Sequence, residues 1–177
     1  MMIPAPASVG SLHARCALLA VLVVQVLACA GLQGPGARAL KIEQVADEGD
    51  ATRRASTDLV LNGLASDARG EYDRARSQYE LAIRVDSGNP YAYLALARFH
   101  VEQQQPQRAL SYLDRAQVLF ESLDLDSPRV EVHLVGLRGQ ALQSLGRTRE
   151  AEPLLAHAAQ SAPTVWGDGR LDADELR

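Results

Sequence analysis

Apolar and polar residues are mixed along most of the chain, with one exception near the start. Residues 16–28 read CALLAVLVVQVLA, and Gln25 is the single polar member. A membrane-spanning helix needs roughly 20 apolar residues; this run has the length of a signal-peptide core. Arg15 and the N-terminal amine supply its positive flank. Residues 30–39, AGLQGPGARA, are Gly-rich and read as a flexible tether. Further on, a series of small and large side chains recurs. Gly70, Tyr72, Ala75, Tyr79 and Ala82 lie at offsets 0, 2, 5, 9 and 12. A shift of 34 residues gives Gln104, Pro106, Ala109, Leu113 and Ala116. A third copy places Gly146, Thr148, Ala151, Leu155 and Ala158 at the same offsets, with Pro163 following.

This series resembles the tetratricopeptide repeat, two antiparallel helices in 34 residues. Repeat one, 56–89, matches at Leu59, Gly63, Gly70, Tyr72, Ala75, Tyr79 and Ala82, and departs at Asn62 and Ser87. Repeat two, 90–123, matches at Tyr93, Leu96, Ala97, Ala109, Leu113 and Ala116. Repeat three, 132–165, matches at Gly139, Leu142, Gly146, Ala151, Leu155, Ala158 and Pro163. The resemblance implies an all-α fold, a right-handed α-solenoid of about three helix-turn-helix repeats. In such a fold small residues let paired helices approach, glycine permits the left-handed turn between them, and proline stops the second helix.

Two departures bear on the geometry. Ala82 to Ala116 is 34 residues but Ala116 to Ala158 is 42, so eight extra residues separate repeats two and three. They are expected to lengthen the helix that ends near Phe120 and to start the next one early. Ser127 would be its N-cap and Pro128 its first residue, with Leu123–Asp126 as the turn. Pro153 falls inside the last repeat helix and should kink or delay it. Six helices follow, at about 52–68, 71–86, 90–104, 106–122, 128–145 and 148–161. Repeat three has no full capping helix, so residues 164–177 or a partner must cover its end. The domains are then a signal peptide (1–28), a modified cysteine and tether (29–50), the repeats (51–163) and a polar C-terminal tail (164–177).

Composition narrows the function. Aromatics are 5% of the chain, which suits close helix-on-helix packing of Ala, Leu and Val. The net charge is −4, with no clustered excess of base, and nucleic acid is not an expected partner. Both cysteines, Cys16 and Cys29, precede the repeats, leaving these without a disulfide or thiolate metal site. Val26-Leu27-Ala28-Cys29 resembles a bacterial lipobox, in which the cysteine thiol is lipidated and becomes the mature N-terminus. Ala30 rather than Asp follows, which by that resemblance implies the outer membrane. The same residues also fit a small-x-small cleavage site, giving a soluble periplasmic protein, or an uncut anchor.

Candidate chemistry is sparse. His13, His100, His133 and His157 have no i, i+4 partner, and no phosphate loop, nucleophile elbow or dinucleotide fingerprint is present. No catalytic residue, metal or cofactor is expected. Asp168, Gly169, Leu171, Asp172 and Glu175 match half of an EF-hand loop, but Thr164 and Trp166 stand where the first carboxylates belong. A solvated acidic tail is therefore expected.

The resemblance implies that the first helix of each repeat lines a concave groove accepting a protein or peptide. The groove positions are Thr57, Val60, Leu64 and Asp67; Tyr91, Leu94, Arg98 and Val101; and His133, Gly136, Gln140 and Gln143. Tyr91 and Arg98 are residue types that often dominate binding. Positions that form a carboxylate clamp in chaperone-binding relatives hold Val60, Leu64, Ala95, His133 and Leu137, so no clamp is expected. The expected function is a non-catalytic envelope scaffold, bound to the membrane by lipid at Cys29. A self-associating module or an accessory subunit is the alternative.

Overall fold

The computed structural model describes residues 39–177; the apolar run, Cys29 and the start of the tether lie outside the described residues. A 3-10 turn, Ile42–Val45, precedes six long helices. These are α1 (Ala51–Ala68), α2 (Tyr72–Val85), α3 (Pro90–Glu102), α4 (Pro106–Ser122), α5 (Pro128–Ser144) and α6 (Thr148–Ser161). Two single-turn helices close the chain, α7 (Pro163–Trp166) and α8 (Ala173–Leu176). There is no strand among the described residues, and the fold is an all-α solenoid of three helical hairpins, α1/α2, α3/α4 and α5/α6.

Each hairpin is built by the residues that recur. Gly70 and Gly146 turn the chain with φ of 75° and 74°. At both places an amide reaches back to the helix end, Glu71 N to Ser66 O and Arg147 N to Leu142 O, the bond that satisfies otherwise orphaned carbonyls. The middle hairpin makes the same bond, Gln105 N to His100 O, with Gln104 at φ 55° where the others have glycine. Between the helices the alanines at 75, 82, 109, 116, 151 and 158 are buried. A methyl group at Gly63 would lie 2.5 Å from the Tyr79 ring, and one at Gly139 would lie 2.9 Å from Leu155. These contacts set how closely each pair approaches.

The insertion behaves as expected from its length. Asp124, at φ 56°, turns the chain after α4, and Pro128 opens α5. Ser127 is extended, but its side chain makes no capping bond. Pro153 does not delay α6, which starts at Thr148 and runs unbroken to Ser161. Pro153, the sixth residue of the helix, has no N–H to donate to the Arg149 carbonyl.

Two segments differ from the expected flexible tether and solvated tail. Leu40, Ile42 and Val45 are buried, so the chain is packed from Leu40 onward. Trp166, Leu171, Ala173 and Leu176 are buried too, in one core cluster with Val60, Leu64 and Leu94. Apolar side chains that would otherwise face water draw both segments onto the solenoid.

Candidate functional site

Residues 163–177 form a strap that returns across the first helices of all three hairpins. It starts on α5. Trp166, fully buried, sits in a notch that exists because residue 136 is glycine; a methyl group there would be 2.4 Å from the indole. The indole Nε1–H donates to His133 Nδ1 at 3.3 Å, and His133 Nε2 lies 2.8 Å from the Leu40 carbonyl. An indole nitrogen only donates, so Nδ1 must accept and the ring proton must sit on Nε2. His133 is thus neutral with both nitrogens satisfied. Burial pushes its pKa down to about 4, against the opposing pull of the Leu40 carbonyl.

The strap then crosses α3. Gln140 Nε2 donates to Gly169 O at 3.0 Å, Arg98 Nη1 to Leu171 O at 3.4 Å, and Arg170 pairs with Glu102 at 3.0 Å. It ends at α1 and the N-terminal segment. Lys41 Nζ reaches Asp174 O, the Glu43 amide donates to Arg177 O at 2.8 Å, and Arg177 pairs with Glu43. Leu40 N in turn donates to Arg129 O at 3.1 Å. The two ends of the described chain meet over the concave face.

Most of the proposed groove residues are buried, whereas Val101 and Gln140 are half-buried and Gln143 is exposed. Beneath the strap Arg98 forms a buried ion pair with Asp67, whose carboxylate also accepts from Tyr79 Oη at 3.2 Å. Burial raises the Tyr79 pKa well above the ordinary phenol value, and the Asp67 charge adds to this. Arg98 Nε is buried without a hydrogen-bond partner. Val101, Gln140 and Gln143 line a pocket of about 180 Å³ on one side of Arg98. Asp67, Tyr72 and Ala173 line one of about 230 Å³ on the other. Val60, Leu64 and Leu94 are core residues, as are Ala95 and Leu137 at the clamp positions. Tyr91 packs edge-on against Phe120, with centroids 5.3 Å apart. Thr57 is buried between hairpins, accepting from Asn89 Nδ2 at 3.1 Å.

Comparison with known proteins agrees with the helical fold. Residues 68–117 match the tetratricopeptide repeat model. The match spans the second helix of one hairpin and nearly all of the next. Among solved structures the chain is similar to the N-terminal domain of stress-induced protein-1 from C. elegans. The identity is 17% and the TM-score 0.55, over 72% of this chain and 98% of that one. That likeness speaks for the fold. Comparison with curated proteins gives no match.

The remaining candidates are accounted for by helix packing and local turns. His100 stacks on Tyr112 with 4° between planes, its Nδ1 is 3.0 Å from Gln105 Oε1, and burial lowers its pKa. Asp168 accepts from the Arg170 amide, and Asp172 with Glu175 forms the capping box of α8. These carboxylates serve the strap's own backbone. Sequence reasoning missed Gly136 as a notch and Trp166 as its occupant. The available signals were the chain's single tryptophan standing in a tail read as polar, and Leu171 and Leu176 at five-residue intervals after it.

Proposed function

We propose that this chain is a non-catalytic protein-binding scaffold of the bacterial cell envelope. The observation that supports it best is the concave face, which holds a polypeptide segment across three tetratricopeptide-type hairpins using side-chain donors aimed at backbone carbonyls. A surface of that design suits a protein ligand. The lipobox-like Val26-Leu27-Ala28-Cys29 supports anchoring by acyl chains on Cys29, with the repeats held near an outer-membrane surface.

Two measurements test this. A photo-crosslinking side chain at Gln143 or Glu102, on the rim of the concave face, should trap a discrete protein in the native host. Absence of any adduct from both positions would sink the scaffold reading. Intact mass of the mature protein from membranes should start at Cys29 and include acyl chains. An unlipidated mass starting later would make it a diffusing periplasmic binder and remove the anchor.

A further inference from the structure

The strap is related to the solenoid as a peptide is to a receptor. Packed helices satisfy their own backbones; strap carbonyls are instead read by side chains from other elements, Gln140 on Gly169, Arg98 on Leu171 and Lys41 on Asp174. Helices α7 and α8 are each a single turn, too short to persist unless docked. What seats them is a set of anchors at five-residue intervals, Trp166, Leu171 and Leu176, all buried. Two exposed ion pairs, Arg170–Glu102 and Arg177–Glu43, add little.

The fit is also incomplete. Arg98 Nε is buried and unpartnered, and open pockets of about 180 and 230 Å³, each lined in part by the strap, adjoin that residue. A buried donor left without an acceptor is unfavourable. A segment that offered an acceptor there and filled the flanking space would bind the same surface better than the strap does.

We propose that residues 163–177 are a resident pseudo-ligand, and that the concave face takes in their place a partner segment carrying tryptophan, then aliphatic side chains five and ten residues on, with a hydrogen-bond acceptor near the Leu171 position. This rests on the reading of the chain as a protein-binding scaffold. The indole is specified twice. The Gly136 notch admits a ring where any side chain would exclude it, and His133 Nδ1 requires an N–H donor that phenylalanine lacks. The strap competes at the high effective concentration of a tethered segment, on the order of mM for a short linker. A partner therefore prevails through the better fit at Arg98 or through further contacts.

Trp166 is the single tryptophan of the chain, which makes the test direct. The full-length Trp166→Ala variant has no tryptophan. Titrated with a synthetic peptide of residues 163–177, it should give a saturable blue shift of the peptide's emission. The native chain should bind that peptide at least tenfold more weakly, and the peptide with alanine for tryptophan should not compete. No saturable binding to a variant that keeps its helical circular dichroism would overturn the proposal, as would equal binding to the native chain. If Trp166→Ala loses its helices, Trp166→Phe is titrated instead, with the same two outcomes decisive. Concentration-dependent dimers with exchanged straps would put a second copy in the groove and overturn the partner assignment. A partner that is captured while Trp166 emission stays unshifted would leave the scaffold reading standing and overturn this one.

Discussion

The hairpins and the strap bury apolar surface in different ways. In the hairpins, residues close in sequence meet through small side chains, as at Gly63 with Tyr79 and Gly139 with Leu155. In the strap, large side chains meet helices tens of residues away, as Trp166 does His133 and Gly136. The hairpins are repetitive, and each repeats the same turn bond. The strap is singular, and its contacts occur once. Regularity belongs to the solenoid, and irregularity to the segment that covers its inner face.

The largest expected effect comes where the two regions share a residue. Arg98 pairs with Asp67 of α1 and also donates to the strap. Arg98→Ala should cost about 3–5 kcal/mol in urea unfolding, because it strands a buried carboxylate. Replacing Asp67 and Arg98 together by leucine and methionine should cost less than the single change. Arg98 is consequently a poor probe of partner binding, since its loss acts first on the fold.

The next effect belongs to the strap and depends on pH. His133 has its folded pKa lowered to about 4 from 6.5. The folded state then holds fewer protons than the unfolded state between those values. Stability is full above about pH 6.5 and declines as pH falls toward 4, by roughly 3 kcal/mol in all. His100, also lowered, adds in the same direction. Protonation of His133 Nδ1 also removes the acceptor for the indole. Trp166 emission should therefore begin to shift to the red as pH approaches 4, where folded His133 takes up its proton, and His133→Gln should flatten the stability profile. An emission spectrum constant from pH 7 to 4 would contradict this.

A pair of methyl insertions sharpens the contrast. Gly63→Ala and Gly136→Ala both place Cβ inside van der Waals contact of an aromatic ring. Overpacking of this kind costs about 1–3 kcal/mol. Gly63→Ala should lower the thermal midpoint with Trp166 emission unchanged, since it strains a hairpin. Gly136→Ala should expose Trp166 and speed amide exchange at Gly169 and Arg177 while α1–α6 stay protected. If both variants lose stability alike and shift emission alike, strap and hairpins are a single cooperative unit.

The smallest effect is confined to the hairpins. Gln104 holds the left-handed turn conformation that glycine holds in the other two. Gln104→Gly should stabilise by up to about 1 kcal/mol, while Gly70→Ala should destabilise by a similar amount, both read from chemical melts.

The two regions also differ in how far they can be read from sequence. The six helices fall within two residues of the bounds expected from the repeat. Periodic contacts leave periodic residues, and Gly70 and Gly146 mark turns by a local need for positive φ. Four of the expected groove positions, Arg98, Val101, Gln140 and Gln143, line one pocket. Their exposure was not legible. Thr57, Arg98 and His133 are polar side chains of a kind usually solvated, yet all are buried. What covers Arg98 and His133 comes from Leu40, Trp166 and Leu171, whose partners lie far along the chain. No local pattern encodes such a pairing. The carboxylates of 168–175 resemble half of a calcium loop, whereas the apolar residues between them carry the fold of that segment.

The hydrogen bond between the Glu43 amide and the Arg177 carbonyl has a consequence for how the array comes apart. In an open stack of repeats each unit leans only on its neighbours, and melting can creep inward from either end. Here the first hairpin is tied to the last by the strap, so neither terminal unit can peel away alone. The stack behaves less like a row of dominoes and more like a hoop, and its unravelling begins with the clasp.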